Sequence, residues 1–269
     1  MLNTELFNKG VEIIGEKLAQ DDRELLYLVC SGSHAWGLER PDSDIDLRGI
    51  YKDPLHKVIS VNRGADTIEY TDGLYDFQLY EVEKFLRMLC NHNGNMVNML
   101  WLPQPRIVTL KLPFAWLSTT FLTKRLRYYY RGYAEGQRKR AMSERGGKAL
   151  IYTYREMFSG LHTLMHGSLE HDFKALWKEA VYRKWYRGSL LDKYFPDPRQ
   201  EITDEGWHKF YSEWEELCIE LDKVADMSPL PDTFNGHKDC SAILLSLRLG
   251  NYIDTLYGTT MGKTKLRSK

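Results

Sequence analysis

The chain has 269 residues, with 37 Lys or Arg and 37 Asp or Glu, so its net charge at pH 7 is zero. Its hydrophobic content of 43% is sufficient to bury one large core or two modest ones. No apolar run approaches the roughly 18 residues of a membrane span, and the four cysteines include no Cys-x-x-Cys pair. This composition argues against a membrane span, a cysteine zinc site and a disulfide framework, and it predicts a cytoplasmic protein with reduced thiols.

The first predicted elements are a helix and a strand that ends in a small loop. Residues 1–15 have the pattern of an amphipathic helix. Residues 25–30 form an apolar run with strand propensity, and Ser31, Gly32 and Ser33 follow it. Because glycine and serine are small, the backbone amides of this loop can approach an anion closely. We therefore predict a phosphate-binding cradle at Gly32 and Ser33.

A second predicted strand carries two aspartates. It follows the turn signal Pro41-Asp42-Ser43. Asp44 and Asp46 would leave the same face of an extended strand, while Ile45 and Leu47 would point into the core. Two carboxylates on one face suit Mg²⁺, which prefers hard oxygen ligands. An isolated Asp-x-Asp is a weak signal, since solvated strand ends also produce it, so the assignment depends on the cradle upstream and on a third acid.

The third carboxylate is expected on a neighbouring strand, and Asp76 is the preferred candidate. It lies in a short apolar run just before a helical pattern. Thr71-Asp72-Gly73 is a hairpin-turn signal, and it would pair residues 67–70 with the strand that carries Asp76. Glu69 and Asp72 are weaker candidates for the same role. Arg48 is expected at most to brace its strand.

These segments resemble a known family. The matching segments are Gly32-Ser33, residues 41–49, residues 76–86, Asn93-Gly94-Asn95 and, more faintly, Lys148 and Arg155. They resemble the DNA polymerase beta nucleotidyltransferase superfamily and, more narrowly, its RNA-ligase-associated branch of predicted RNA-repair nucleotidyltransferases. That branch often has Asn-Pro-Asn where this chain has Gly94 in the middle, so this loop departs from the pattern. Beyond about residue 167 the chain shows no resemblance.

The resemblance implies roles for individual residues. Gly32 and Ser33 would bind the β and γ phosphates of a nucleoside triphosphate. The residues implied to hold Mg²⁺ or Mn²⁺ and to be catalytic are Asp44, Asp46 and Asp76. Of these, Asp76 would complete one metal's ligand shell near the attacking hydroxyl, where a carboxylate can orient and help deprotonate that hydroxyl.

A strongly basic segment follows. Residues 123–148 contain nine Lys or Arg against two Glu, a local charge of +7, interleaved with four tyrosines. Such a surface can neutralise phosphates and stack bases, so Arg138, Lys139 and Arg140 are candidate RNA contacts. The alternative is a solvated helix face with its tyrosines packed inward. Beside a nucleotidyltransferase site, the balance favours nucleic acid or triphosphate.

The pattern of residues 148–166 predicts an amphipathic helix. Lys148 and Arg155 are seven residues apart, two turns along one side, so both are candidates to contact the triphosphate. His162 and His166 are on the same predicted face. They are interpreted as surface or packing residues in preference to catalytic groups.

Together these patterns predict an α+β fold, with a nucleotidyltransferase palm and mixed sheet over residues 1–110 and a helical C-terminal domain over residues 111–269. The predicted activity is metal-dependent transfer of a nucleoside monophosphate from a triphosphate to an acceptor hydroxyl, with an RNA end preferred. Alternatives are a protein or small-molecule acceptor, or an idle RNA-binding module. The oligomeric state is left open. The basic tail is predicted to be disordered, with non-specific RNA affinity less favoured; its cations are Lys263, Lys265, Arg267 and Lys269.

Overall fold

Five strands form a mixed sheet in the order β3-β4-β2-β1-β5. Their bounds are β1 Glu24–Cys30, β2 Ile45–Lys52, β3 Thr67–Thr71, β4 Tyr75–Glu81 and β5 Arg106–Val108. Strands β2 and β4 are parallel, and the other neighbours are antiparallel. The computed structural model describes residues 4–103, 105–109, 111–234 and 236–249, so the predicted basic tail lies outside the described residues.

Helices flank the sheet and make up most of the chain after it. Their bounds are α1 Thr4–Ala19, α2 Gly32–Ala35, α3 Leu55–Val58, α4 Val82–Cys90, α5 Gly94–Trp101, α6 Phe114–Thr120, α7 Leu126–Glu144, α8 Gly147–His166, α9 Phe173–Tyr182, α10 Leu190–Tyr194, α11 Asp204–Met227 and α12 His237–Leu249. Side-chain caps begin four of them: Glu81 caps α4, Asn93 caps α5, Asp172 caps α9 and Thr203 caps α11. None of the described helices combines the length and apolar character needed to cross a membrane.

The two faces of the sheet pack against different helices. On one face, α1 buries Phe7, Ile14 and Leu18 against the apolar side of β2 and β4. The other face contributes to a cluster that includes residues of α4, α5, α6 and α12. A further apolar cluster, centred on α8, joins residues of α7 through α11. The strand alternation is clearest in β2, where Ile45 and Leu47 are buried beside more accessible neighbours.

The last described helix returns to the sheet. Arg248 of α12 makes a 2.5 Å ion pair with Glu81 at the end of β4, and its second terminal nitrogen donates to the Asp53 carbonyl at 2.8 Å. Both charged side chains of the pair are only 7% exposed. Breaking such a pair would leave a buried charge without a partner, so α12 is firmly tied to the α/β part.

The structure confirms the predicted α+β class, with a mixed sheet followed by helices. The predicted hairpin is also present, since β3 and β4 pair antiparallel across residues 72–74. The turn is stabilised by Asp72, whose side chain accepts hydrogen bonds from the backbone N–H groups of Leu74 and Tyr75. The division into domains 1–110 and 111–269 stays a prediction.

Candidate active site at the acid edge of the sheet

Three carboxylates, Asp44, Asp46 and Asp76, meet at one end of strands β2 and β4; we call them the acid edge. Asp44 immediately precedes β2, and Asp46 lies within it. Asp46 and Asp76 are register partners in the parallel pair, so their side chains leave the same face of the sheet. The Asp46 side chain is 19% exposed and that of Asp76 is 44% exposed. The structure therefore brings the predicted acids together, with Asp76 on the more solvated side.

Arg48 connects two members of the acid edge. Its guanidinium donates to Asp46 Oδ1 at 3.1 Å and to Asp76 Oδ1 at 2.8 Å. Burial raises the pKa of the Asp46 carboxyl, Arg48 lowers it, and the charges of Asp44 and Asp76 raise it again, leaving a net upward shift. Arg48 thus does more than brace its strand, yet it does not fully offset the cost of charge at Asp46.

Gly32 places the predicted phosphate cradle directly against Asp46. Its φ of +62° lies in the left-handed region, and a Cβ atom at this position would overlap the Asp46 carboxylate. The backbone is held there by a hydrogen bond from the Ser31 N–H to the Asp46 carbonyl, at 2.8 Å. Only glycine satisfies both conditions, so the cradle and the acid edge form one unit.

Ser33 supplies a hydroxyl that is free to bind a ligand. The residue is 8% exposed, and its Oγ is buried without a hydrogen-bond partner among the described residues. A buried polar group without a partner carries a free-energy cost that an incoming acceptor oxygen would remove. The predicted position therefore has the property that a phosphate contact needs.

A cleft of about 360 Å³ opens beside the acid edge. Because its wall carries Tyr80, Tyr129, Tyr133 and Tyr152, we call it the tyrosine cleft. The lining also includes Gly32, Ser33, Asp44, Asp46 and Arg48, but not Asp76. A Cβ atom at Gly94 would overlap the Tyr129 ring, so glycine at the centre of Asn93-Gly94-Asn95 allows that ring into place.

A second cleft, of about 410 Å³, lies on the other side of Asp44. It shares Ser33, Asp44, Lys148 and Tyr152 with the tyrosine cleft. We call it the basic cleft because its lining includes four cations, Arg40, Lys148, Lys174 and Arg199, against three acids, Glu39, Asp42 and Asp44. The first aspartate of the acid edge thus stands at the junction of a tyrosine-lined and a cation-lined space.

The two cations predicted to contact the triphosphate have different environments. Lys148 is exposed in the first turn of α8 and lines both clefts. Arg155 is only 4% exposed, contacts the Glu156 carboxylate and lies 3.9 Å from the centre of the Trp36 ring. Burial lowers the pKa of Arg155, and its Nε and Nη1 have no hydrogen-bond partner among the described residues. Arg155 lines the tyrosine cleft but not the basic cleft.

The three candidate RNA contacts on α7 are not brought to one surface. Arg138 donates to Glu135 at 2.6 Å and lies over the rings of Tyr211 and Trp214 on α11. Lys139 is 71% exposed. Of the three, Arg140 alone lines the tyrosine cleft. Acids from the later helices and loops pair with much of the rest of the basic segment: Lys124 with Asp232, Arg127 with Asp226, Arg131 with Asp222, and Arg145 with Glu201 and Asp204.

The competing acids have other partners. Glu69 accepts a hydrogen bond from the Gln78 side chain at 2.8 Å, and Asp72 caps the hairpin turn. Asp42 forms an exposed ion pair with Arg199 at 2.5 Å. No role was predicted for the cleft residues Trp36, Tyr80, Tyr152 and Glu156. Tyr80 lies within the matching residues 76–86, whereas the other three lie outside the matching segments, and packing between distant parts of the chain brings the four together.

Residues 12–201 match the RNA repair pathway DNA polymerase beta family, a span of well over half of the chain. The chain belongs to this family. The resemblance inferred from the residues is therefore confirmed. The matched span includes the cradle, the acid edge, Lys148 and Arg155.

Three relatives share parts of the sequence. An uncharacterized protein of Methanocaldococcus jannaschii is 26% identical over 162 residues, covering 56% of this chain and 64% of its own. The protein YcgL of Bacillus subtilis is 35% identical over 78 residues, covering 29% of this chain and 30% of its own. A 38.9 kDa protein of Enterobacteria phage T4 is 25% identical over 119 residues, covering 39% of this chain and 35% of its own. The chain spans less than two thirds of the length of each curated relative.

A solved structure with a similar course of the chain is a spectinomycin adenyltransferase from Enterococcus faecialis, crystallised with ATP and spectinomycin. The TM-score is 0.49 and the sequence identity 13%, and the alignment covers 82% of this chain and 100% of the other.

Proposed function

We propose that this chain is a metal-dependent nucleotidyltransferase, which transfers a nucleoside monophosphate from a nucleoside triphosphate to an acceptor hydroxyl. One observation carries the proposal: Gly32 lies so close to Asp46 that the anion cradle and the acid edge form a single site. A cradle for phosphate beside clustered carboxylates is the arrangement that phosphoryl transfer requires. Membership of a polymerase beta family supports the same chemistry.

The acid edge fits a divalent metal. Its three carboxylates offer the hard oxygen donors that Mg²⁺ and Mn²⁺ prefer. Asp46 is only 19% exposed and shares the site with Asp44 and Asp76, so a bound cation would offset the cost of holding these negative charges together. Asp44, Asp46 and Asp76 would hold Mg²⁺ or Mn²⁺, which when bound would stabilise charge on the reacting phosphate oxygens.

We assign the two clefts to the two substrates. The triphosphate suits the basic cleft, where Lys148 and Lys174 can neutralise phosphate oxygens. Its phosphates would lie at the junction of the clefts, where Ser33, Asp44 and Lys148 line both spaces and Gly32 is adjacent. The tyrosine cleft suits the acceptor because aromatic rings and Arg140 line it. Asp76, on the solvated side of the acid edge, orients and helps deprotonate the acceptor hydroxyl. Arg155 stabilises negative charge from the side of the tyrosine cleft, since its Nε and Nη1 have no hydrogen-bond partner among the described residues.

An RNA end is the preferred acceptor. The family description supports it, and so does a cleft with four tyrosines, whose ring faces can stack on bases of any sequence. Transfer to a small molecule or a protein hydroxyl is the second candidate. The observation that favours it is the ion pairing of α7, which leaves fewer free cations for an RNA backbone than the local sequence charge suggests.

Radiolabelled triphosphates test the proposal. Purified protein is incubated with each α-labelled nucleoside triphosphate, Mg²⁺ or Mn²⁺, and either RNA, protein or small-molecule hydroxyl acceptors. We expect label in the acceptor and release of pyrophosphate, both abolished by chelation of the metal. Asp46→Asn should lower the rate by several orders of magnitude, because the loss of a charged ligand removes several kcal/mol of transition-state stabilisation.

The matched control is Glu69→Gln. Glu69 is an exposed acid on β3, and glutamine keeps the oxygen that accepts from Gln78. The control should retain wild-type transfer. Equal transfer by Asp46→Asn and wild type, or no labelled product with any triphosphate and acceptor, would contradict the proposed chemistry. Label in protein or small molecules but not in RNA would overturn the choice of acceptor alone.

A further inference from the structure

Two histidines and a glutamate form a compact cluster far along α8 from its cleft end. His162 and His166 are four residues apart, which places them one turn apart on one face of the helix. Their rings are 4.6 Å apart between centroids. Glu179 of α9 reaches both: its Oε2 lies 2.6 Å from His162 Nδ1, and its Oε1 lies 2.7 Å from His166 Nε2. The three ligand atoms all lie within 4.8 Å of one another.

The donor set determines which ion would fit. Two imidazole nitrogens and one carboxylate oxygen are a known three-ligand set for Zn²⁺, with a fourth position left for water or another ligand. Imidazole favours zinc and neighbouring transition metals, whereas Mg²⁺ favours oxygen-only sets such as the acid edge. The cluster thus differs in chemistry from the candidate active site.

The cluster is also pre-organised and accessible. The Glu179 carboxylate is held by three groups, since atoms of His162, His166 and Arg183 all lie within 2.7 Å of its oxygens. Arg183 Nε donates to Glu179 Oε1 at 2.6 Å, and Ser168 Oγ lies 3.5 Å from His162 Nε2. Such outer contacts orient ligands in metal sites. Side-chain exposures of 16% for His162 and 35% for His166 leave a path for an ion.

We propose that His162, His166 and Glu179 bind a divalent transition-metal ion, with Zn²⁺ the best match, and that the ion cross-links α8 to α9. The proposal is independent of the proposed nucleotidyl transfer. The alternative is a purely structural hydrogen-bonded network, in which Glu179 holds both histidines and Arg183 without any metal. Both accounts share the same contacts, but retention of metal and its dependence on the histidines distinguish them.

Equilibrium dialysis against Zn²⁺ provides the test. The full chain is stripped with chelator and studied with the Asp46→Asn substitution, so that the acid edge competes less for the ion. We expect one tightly bound zinc per chain. His162→Gln and His166→Gln should each weaken binding by more than the roughly 10- to 100-fold typical of losing an outer contact. The control is His208→Gln, an exposed histidine on α11 that should leave the affinity unchanged.

Thermal unfolding with and without Zn²⁺ guards against variants that merely fail to fold. The Tm of the unsubstituted cluster should rise on adding Zn²⁺, because a ligand of the folded state stabilises it. His166→Gln, which is the more exposed position, should keep its metal-free transition but lose the zinc-dependent rise. Retention of less than stoichiometric zinc, or equal affinity in the two histidine variants and the His208→Gln control, would overturn the proposal.

Discussion

The acid edge and helix α7 both concentrate charge of one sign in the sequence, yet the fold treats them in opposite ways. At the acid edge, Arg48 is the cation that bonds directly to the carboxylates, and the pKa of Asp46 stays raised. On α7, the cations pair with acids nearby on the same helix or from later elements. Negative charge is therefore concentrated at the proposed site, whereas most of the positive charge on α7 is paired with nearby acids. The four predictions below test this contrast.

The largest expected effect separates the members of the acid edge. Asp76→Asn should slow transfer by about 10²- to 10⁴-fold, the usual contribution of a general base, while most of the metal–triphosphate affinity remains. Asp44→Asn should lose both, because Asp44 lies at the junction of the clefts. Single-turnover rates and calorimetric titration with a triphosphate measure the two quantities. If both variants lose triphosphate affinity equally, the division of roles is wrong.

The next effect concerns a paired cation of α7. Arg138→Ala should lower the free energy of unfolding by about 1–2 kcal/mol, since its 14% exposed side chain pairs with Glu135 and packs on two aromatic rings. Lys139→Ala, at a 71% exposed neighbour, should change it by less than about 0.5 kcal/mol. Urea unfolding monitored by circular dichroism compares them. A larger loss of stability in Lys139→Ala than in Arg138→Ala would contradict the greater contribution expected from the more buried cation.

A smaller effect on stability is expected when Asp46 is substituted in the metal-free protein. A folded pKa above the unfolded value of about 3.9 means that the folded protein binds more protons between those two values, so stability falls as pH rises through that window. Asp46→Asn should therefore raise the Tm of the metal-free protein at pH 7, by roughly 2–4 °C for each kcal/mol gained. The gain should vanish below the unfolded pKa. Added Mg²⁺ should stabilise the wild type more than the variant; a lower Tm for the variant at pH 7 argues against under-compensated charge.

The smallest expected effect concerns which cations of α7 contact RNA. Lys139→Ala and Arg140→Ala should each reduce the slope of log K against log salt by about 1. These side chains are 71% and 61% exposed, so their ion pairs with Glu135 and Glu144 are weak and each cation can exchange its partner for a phosphate. Arg138→Ala should leave the slope unchanged. Lys148→Ala should weaken triphosphate binding and spare RNA. If wild-type protein binds no RNA, the acceptor is a small molecule or protein.

Much of the fold and of the acid edge could be predicted because the signals are local. The alternation in β2, the small loop at Gly32 and the hairpin turn at Asp72 each act over a few residues, and together they place Asp46 and Asp76 on adjacent strands. The resemblance to the family indicated the same residues, and the match over residues 12–201 confirms the family.

The remainder of the site depends on contacts distant in sequence. The burial of Arg155 against Trp36 and the pairing of Arg131 with Asp222 join segments that no local pattern relates. Charge summed along α7 therefore overstated its free cations. Likewise, the need for glycine at position 94 is visible only in the structure, since the Tyr129 ring occupies the place of the missing side chain.

The attachment of α12 to the sheet affects when the chain can fold during its synthesis. Phe234, Cys240, Ile243 and Leu247 complete the same apolar cluster as Leu26 of β1, and Arg248 neutralises Glu81. A nascent chain that has not yet extruded α12 therefore exposes part of this apolar cluster to water and leaves Glu81 without Arg248. We expect the α/β part to reach protease resistance only after residue 248 has left the ribosome tunnel, and ribosome-bound chains stalled before and after that point would reveal the delay.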